Sequence, residues 1–365
     1  MTAAARALSR LMLTDFRSHT RAELHLKRGL IAISGPNGAG KTNLLEAISL
    51  LSPGRGLRRA TLPEMARADG GGGFAIAARL DTGGGAPVEI GTGIEPGSAR
   101  RMVRINGANR PANDLTEWTS VLWLTPAMDR LFAGGAGDRR RFLDRLTLAL
   151  HPGHAQAAAR YEAAMRERNR LIGEGRSSDA WLTAVERQMA EFGAMVSNAR
   201  SNAVAALGAA LATQEGPFPS AGIALDGESW SSSADLVAAL AASRRNDVRA
   251  GRTLIGPHRD DLDVVHLEKG QAAARASTGE QKALLLGIII AHAGLVAEQT
   301  GRRPILLLDE VAAHLDEDRR AALFGLLDAL GPQVWMTGTD SALFRAIPGD
   351  ATYIEMVDGV PVVRS

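Results

Sequence analysis

The pattern of apolar and polar positions divides the chain into a strand-rich first third, a helical middle and a mixed end. In the first third, short apolar runs alternate with glycine-rich turns such as 70–73 and 83–85, which is typical of β-strands and loops. One strong helical pattern, from Lys41 to Leu51, interrupts them. The predicted strands are residues 11–16, 22–26, 30–34, 74–80, 88–94, 102–105 and 121–124.

The middle of the chain, from Asp138 to about Leu211, has a helical period almost throughout. One apolar seam comprises Leu182, Val185, Met189, Phe192, Val196, Ala199 and Ala203, and a facing seam comprises Ala158, Tyr161, Met165 and Ile172. Residues 173–179 provide a break between them. This predicts a short antiparallel helical arm, with an ordinary pair of core helices as the alternative. After Leu254 the pattern predicts a strand, a long apolar helix, an acidic strand and final strands.

A glycine-rich loop follows the buried strand 30–34 and precedes the helix at Lys41. It has the pattern G-x-x-x-x-G-K-[ST], in the strand-loop-helix context that a phosphate-binding loop requires. Loop amides and the helix N-terminus would face phosphate oxygens, Lys41 would reach the β- and γ-phosphates, and the Thr42 hydroxyl would bind Mg²⁺. The predicted nucleotide-binding residues are Gly35, Pro36, Asn37, Gly38, Ala39, Gly40, Lys41, Thr42 and Asn43.

The apolar run 304–308 ends in two carboxylates, Asp309 and Glu310. In a parallel sheet such a strand is buried on both faces, so its acids emerge at the carboxyl end, where ligands bind. Asp309 suits a ligand on the Mg²⁺ side. Glu310 suits the catalytic base that orients and deprotonates the attacking water. Glu310 and Lys41 are therefore the predicted catalytic residues.

A small-residue turn, 276–280, precedes an almost wholly apolar helix. Ser277 suits an N-cap, which would leave the amides of 278–280 free at the helix N-terminus. Besides this local role, Ser277, Gly279 and Gln281 form a pattern fairly specific for the signature of ATP-binding-cassette (ABC) ATPases. In that class, the signature binds the γ-phosphate held by a second copy of the protein. Asp316 lies in a segment that resembles the D-loop of the same class, and Thr337 and Thr339 lie where its switch residue is expected.

Composition narrows the class further. The chain has no cysteine, which excludes disulfides and thiolate metal sites, and its N-terminus lacks the apolar region of a signal peptide. The apolar stretch 283–297 contains His292 and is shorter than the ~20 residues of a membrane span, so a buried helix and a cytoplasmic protein are expected.

The net charge of +2 does not by itself predict a binding partner, so the distribution of the charged residues is more informative. Of 42 basic residues 38 are arginine, and several lie in local clusters. Aromatic residues make up 4% of the chain, so a duplex backbone is a better target than stacked single strands. The candidate DNA contacts are Arg100, Arg101 and Arg104, and Arg139, Arg140 and Arg141. His258 with Asp260 and Asp261, and His151 with His154, lack a third ligand at useful spacing and are expected to be structural.

Along nearly its whole length the chain resembles the RecF family, in the SMC-like branch of ABC ATPases. The stretches that carry the resemblance are 15–19, 35–48, 105–107 with Arg110, 139–144, 166–171, 256–262, 277–282, 306–316 and 337–339. The run at 256–262 is the most family-specific. Residues 124–129 depart from the family pattern, which has an acidic residue directly after the proline at 126, and no Q-loop glutamine is assigned.

The resemblance implies an α/β fold of the ABC-type ATPase head. Its ATP-binding lobe would be built from residues 1–125 and 303–365, and an inserted helical lobe, 126–302, would carry the arm at about 138–215 and the signature. It implies a weak, DNA-stimulated ATPase that dimerises on ATP and Mg²⁺, binds duplex or gapped DNA and is released by slow hydrolysis. It also implies cooperation with mediators of the RecO and RecR type in loading a recombinase.

Three alternatives remain open at this point. An ABC transporter subunit would be expected to have a switch histidine where this chain has Thr337 to Asp340, and it would lack the arm. A small-molecule P-loop kinase has no need of the signature at 277–281. A nucleotide-gated clamp would have the same motifs with negligible turnover.

Overall fold

The computed structural model describes residues 6–174, 179–331 and 333–364. The chain forms two compact units. The first comprises Met1–Asp129, Glu215–Phe218 and Thr278–Ser365, and the second comprises Arg130–Gln214 and Pro219–Ser277.

The elements are numbered in chain order. The strands are β1 Ala7–Phe16, β2 His19–His25, β3 Leu30–Ser34, β4 Phe74–Asp81, β5 Val88–Ile94, β6 Met102–Ile105, β7 Ala108–Asn109, β8 Val121–Leu124, β9 Ala221–Asp226, β10 Asp261–His266, β11 Gln271–Ala272, β12 Ile305–Leu308, β13 Val334–Gly338, β14 Thr352–Val357 and β15 Val360–Arg364. The α-helices are α1 Lys41–Ser49, α2 Leu62–Met65, α3 Ala136–Leu150, α4 His154–Glu174, α5 Asp179–Ala212, α6 Ser233–Ala250, α7 Thr278–Thr300 and α8 Glu317–Leu330. All seven strands predicted in the first third are confirmed, as is the helix at Lys41.

The first unit contains two six-stranded sheets. One is antiparallel, in the order β2-β1-β4-β5-β6-β7. The other has the order β15-β14-β3-β13-β12-β8, and its strands are parallel except for β15. Because β13 pairs with both β3 and β12, the carboxyl ends of these three strands lie side by side.

A single apolar core joins the two sheets to helix α1. Helix α1 contributes Leu44, Leu45 and Ile48, all fully buried, which explains the apolar spacing along it. Phe16 and Phe74 meet edge to face with ring centroids 5.2 Å apart. The phosphate-loop helix is therefore fixed by its buried face against both sheets.

Gln333 connects the antiparallel sheet to the parallel one. Its side chain accepts from the Leu8 amide at 2.9 Å and donates to the Leu8 carbonyl at 2.9 Å, and it also donates to the Lys27 carbonyl. These bonds satisfy backbone groups of β1 that would otherwise be buried without partners.

Helix α7 is apolar around its whole circumference and has buried residues on every side, as expected for a core helix. By length and composition alone this helix could cross a membrane, but most of it is buried within the protein. The sequence analysis placed this helix in the inserted lobe, whereas the structure groups it with the first unit, where it packs on β8 and α8. The rest of the predicted division into lobes stays a prediction.

In the second unit, α4 and α5 form the predicted helical pair. Tyr161, Met189, Phe192 and Val196 are buried between them, but the predicted break at 173–179 falls partly on 175–178, outside the described residues. Helix α6 adds Leu236 and Leu240 to the same core. The three-stranded antiparallel sheet β11-β10-β9, which the sequence analysis did not predict apart from one strand after Leu254, packs on α5 through β9.

A fully buried ion network lies inside the second unit. The Arg168 side chain is 0% exposed, and its guanidinium contacts Asp247 at 2.7 Å and Glu186 at 3.0 Å. It also donates to the Thr253 hydroxyl and the Leu240 carbonyl. Arg168 belongs to one of the basic clusters of the sequence, and its burial gives it a structural role.

We expect Arg168→Met to destabilise the second unit by about 3–5 kcal/mol, because it leaves Asp247 without its cation in a buried site. Arg170→Ala is the matched control on the same helix, since Arg170 is half exposed and pairs with Glu167 and Glu174 across the surface. Urea unfolding of both variants measures the difference. Equal unfolding midpoints would contradict a structural role for Arg168.

Candidate nucleotide-binding site

The loop between β3 and α1 needs glycine at two places. Gly35 has φ 151° and Gly40 has φ 97°. A Cβ atom at Gly35 would lie 2.8 Å from the Cβ of Met356, and one at Gly40 would lie 2.9 Å from the Ser18 hydroxyl. Both positions combine a left-handed backbone with close neighbours, which only glycine satisfies without displacement.

Lys41 lies at the start of α1 and is 5% exposed. Its ammonium donates to the carbonyls of Gly35 at 2.6 Å and Pro36 at 2.9 Å. Burial lowers the pKa of Lys41, while the nearby charges of Glu310 and Asp309 act in the opposite direction. The start of the loop therefore holds this cation in place, close to the acidic residues that follow β12.

Asp309 follows β12 and lies beside the loop. Its Oδ1 accepts from the Thr42 hydroxyl at 3.1 Å and from the Thr337 hydroxyl at 2.7 Å. Burial raises the pKa of Asp309, partly offset by these two hydrogen bonds. The structure thus brings together Thr42, Asp309 and Thr337 at the carboxyl ends of three neighbouring strands or their following loops.

Glu310 has a left-handed backbone with φ 54°, which is uncommon for a residue with a side chain. Its amide donates to the Thr337 hydroxyl at 2.9 Å. A 3₁₀ helix, Val311–His314, follows, and Asp316 then caps α8 by accepting from the Arg319 amide at 2.8 Å. Thr339, the other predicted switch residue, is exposed just beyond β13.

The residues present fit a magnesium ion. Among residues 6–174, 179–331 and 333–364 there is no group of three or more His, Asp or Glu that could hold a metal. Mg²⁺ at a nucleotide site commonly uses one or two protein oxygens, with phosphates and water completing its octahedron. The adjacent oxygens of Thr42 and Asp309 are such a donor set.

The signature residues lie around the start of α7. Ser277 directly precedes the helix, and Gly279 has open space at its Cβ position. Gln281 and Lys282 are buried, and the Lys282 ammonium lies 3.5 Å from Asp129. Asp129 ends the segment 124–129, so the part of the chain that departs from the family pattern supplies a counter-ion to the signature helix.

A further group of residues packs around the loop, and the sequence analysis assigned these residues no role. The turn between β1 and β2 places Ser18 and His19 against Gly40, and Asn43 donates to the Ser18 hydroxyl at 2.8 Å. Arg58 donates to Asn43 at 2.7 Å and to the buried Glu46. The run at 15–19 was noted only for its resemblance to the family, and it is the signal that could have located this layer.

The candidate DNA arginines of the second unit have protein partners. Arg139 forms two hydrogen bonds with Asp261, at 2.8 and 2.6 Å. Arg140 donates to the Asp260 carbonyl at 2.8 Å, and Arg141 pairs with Asp138. These contacts compete with phosphate binding.

In the first unit the three candidates differ from one another. Arg101 donates to the carbonyls of Ser52 and Gly54, and burial lowers its pKa to about 10. Arg100 is exposed, and so is Arg104, which donates to Asn109 at 3.2 Å. Arg100 and Arg104 are therefore the more accessible pair.

The histidines with neighbouring acids occupy internal positions in the second unit. The Nδ1 atom of His258 lies 2.7 Å from the Tyr161 hydroxyl, and burial lowers the pKa of His258 to about 4. The Nε2 atom of His154 lies 2.8 Å from Asp144. Asp260 pairs with Arg200 at 3.0 Å.

Comparison with known proteins identifies the relatives of this chain. The family described as the RecF/RecN/SMC N terminal domain matches residues 7–353. The DNA replication and repair protein RecF of Mesorhizobium japonicum is 54% identical, over 96% of this chain and 96% of that protein. RecF of Brucella suis is 51% identical, over 97% of this chain and 95% of that protein.

Solved structures show the same fold. A structure described as the recombination mediator protein RecF-ATPrS in the RecFOR pathway has a TM-score of 0.87 at 22% identity, with 100% of both chains covered. The Smc head domain of Pyrococcus furiosus, bound to the C-terminal domain of ScpA, has a TM-score of 0.57 at 16% identity, covering 98% of this chain and 96% of that one. The predicted fold class, an ABC-type ATPase head, is confirmed.

We expect Gly40→Ala to weaken nucleotide binding by about tenfold more than Gly38→Ala does. Both residues have a left-handed backbone, so both variants are strained, but a Cβ at Gly38 meets nothing within 4 Å. Gly40→Ala must also displace the Ser18 side chain from Asn43. Titration with a fluorescent ATP analogue measures both affinities, and equal losses would show that the turn at Ser18 does not support the loop.

Proposed function

The chain belongs to the RecF family of the RecF/RecN/SMC group, and we propose that it dimerises on ATP, binds duplex or gapped DNA and is released from DNA by slow hydrolysis. A general role in DNA repair follows from this membership. The observation that supports the proposal is that Thr42, Asp309 and Thr337 meet close to Lys41. The site would thus combine a cation, two oxygens suited to Mg²⁺ and the carboxylate of Glu310.

In the proposed reaction, a water oxygen attacks the γ-phosphorus of ATP and the bond from that phosphorus to the β–γ bridging oxygen breaks. Glu310 accepts the proton of the water, and ADP and phosphate leave. Lys41 stabilises charge on the β- and γ-phosphate oxygens, and the loop amides 35–40 hold the phosphates in line. When bound at Thr42 and Asp309, Mg²⁺ supplies charge neutralisation at the same oxygens.

We propose that the site is completed by a second copy of the chain. Ser277 of that copy would contact the γ-phosphate through its hydroxyl, and the helix N-terminal amides of 278–280, which include that of Gly279, would contact it as well. Gln281, the third residue of the pattern, is buried. Asp316 in the D-loop and Thr339 after β13 would line the same interface. The start of α7 supports this role, because Gly279 leaves open space beside it.

The alternatives are less well supported. Family membership and the absence of histidine at 337–340 disfavour a transporter subunit. The signature pattern at the start of α7 disfavours a small-molecule kinase. A nucleotide-gated clamp with negligible turnover uses the same site, and the ATPase rate with and without gapped DNA separates it from a slow enzyme.

The proposed partners follow from the family. The solved RecF relative is described as a recombination mediator of the RecFOR pathway, and we propose that this chain likewise acts with RecO- and RecR-type mediators in loading a recombinase, in the cytoplasm. We propose duplex DNA as the direct ligand, contacted first by Arg100 and Arg104, with Arg101 and Arg139 to Arg141 as further candidates.

Complementation between two inactive variants tests the composite site. Lys41→Met and Ser277→Arg each remove one half, so neither variant alone should form an ATP-dependent dimer. Their mixture should form heterodimers with one intact site, because Lys41 of one chain then faces Ser277 of the other. Light scattering with ATP and Mg²⁺ measures this, and dimerisation of Ser277→Arg alone like the unmodified protein would overturn the composite site.

Salt dependence tests the DNA surface. If a dimer neutralises about six phosphates, log affinity should fall with log salt at a slope of roughly −5. Arg100→Ala with Arg104→Ala removes two such contacts from each copy, four per dimer, so it should reduce the magnitude of that slope by roughly 3.6 without changing sequence preference. Arg364→Ala is the control for loss of charge, since Arg364 pairs with Glu355 at the other sheet.

The measurement is a titration of fluorescent duplex across salt concentrations, with and without a non-hydrolysable ATP analogue. Affinity should be higher with the analogue, because two joined heads present one continuous surface. A slope near zero in both nucleotide states would remove DNA from the proposed mechanism.

A further inference from the structure

Thr337, at the end of β13, is 0% exposed and uses its hydroxyl twice. It donates to Asp309 Oδ1 at 2.7 Å and accepts from the Glu310 amide at 2.9 Å. A single buried hydroxyl therefore contacts the two successive acidic residues of the site, one through its side chain and the other through its backbone.

The hydrogen bond from the Glu310 amide involves a residue whose backbone conformation is unfavourable. Glu310 has φ 54°, and the left-handed region is unfavourable for a residue with a Cβ atom. The Thr337 hydroxyl accepts from the amide of this residue, so the hydrogen bond forms only while Glu310 keeps this conformation. A charged side chain attached to a strained backbone needs such support to stay in one orientation.

We propose that Thr337 is a positioning residue for ATP hydrolysis, whose hydroxyl holds the backbone of Glu310 and the carboxylate of Asp309 in the arrangement that the attack of water requires. This inference rests on the proposed function. It differs from a switch role at the γ-phosphate, because Thr337 is fully buried and would act through its hydrogen bonds to the two acidic residues.

The proposal predicts different effects on the rate of ATP hydrolysis and on the affinity for ATP. Asp309 keeps its hydrogen bond from Thr42, and Lys41 keeps its contacts to the loop, when the Thr337 hydroxyl is removed. Nucleotide affinity should therefore change little. Glu310 should lose its fixed orientation, and a general base contributes about 10²–10⁴-fold to rate only when it is positioned.

The test compares Thr337→Val, which keeps the volume and removes the hydroxyl, with Thr337→Ser, which keeps the hydroxyl. Single-turnover hydrolysis by Thr337→Val should be slower by about 10- to 100-fold, within the contribution of the base itself. Its affinity for a non-hydrolysable ATP analogue should stay within about twofold, which is less than 0.5 kcal/mol. Thr337→Ser should recover most of the lost rate.

The matched control is Thr352→Val in the neighbouring strand β14. Thr352 is also buried, and its hydroxyl has no hydrogen-bond partner among the described residues. This variant should hydrolyse ATP at the unmodified rate. Thermal unfolding of all variants identifies loss of folding, and Thr337→Ala serves in place of Thr337→Val if the latter does not fold.

A double variant gives the sharpest outcome. If Thr337 acts through Glu310, Thr337→Val should cause no further loss of rate in a Glu310→Gln background. Three results would each overturn the inference. The first is a double variant whose loss of rate is the product of the two single losses, the second is an unmodified rate in Thr337→Val, and the third is an equal loss of rate and affinity in Thr337→Val. Absence of hydrolysis by the unmodified protein, even with gapped DNA, would instead overturn the proposed turnover on which it rests.

Discussion

The hydrogen bond from Thr42 to Asp309 joins two segments that are 267 residues apart, and the candidate site depends on it. The bond is possible because β13 lies between β3 and β12 and aligns their carboxyl ends. The same alignment places Thr337 on Asp309 and Lys41 near both acids. The antiparallel sheet and the core around α1 hold the loop against this edge.

Much of this arrangement is predictable from sequence, because it follows from local patterns. The glycine loop, the acidic strand and the seven strands of the first third are encoded by runs of a few residues, and the structure has them at the predicted places. The apolar run that ends in Asp309 and Glu310 also indicates a strand of a buried parallel sheet, but the order of β3, β13 and β12 was not predicted. The roles of the individual site residues stay predictions.

What sequence reasoning missed depends on contacts between distant segments. Thr337 was predicted as a switch residue from its place after an apolar run, but no local pattern reveals its two hydrogen bonds, which reach residues 27 and 28 positions away. Ser18 and His19 meet Gly40 only after the β1–β2 turn is folded. Charge clustering failed to separate Arg168, which is buried with two acids, from the exposed Arg170 two positions later.

The position of β3 has a consequence for synthesis on the ribosome. Its two neighbours in the sheet, β13 and β14, lie at Val334–Gly338 and Thr352–Val357, which are translated long after β3. A nascent chain therefore displays an apolar strand with both edges unpaired until residues 334–357 have been synthesised, and such edges favour aggregation. The phosphate loop that follows β3 gains its acidic partners only at that stage. We therefore expect nucleotide binding to require these later strands, and a product truncated before residue 334 should depend on chaperones to remain in solution.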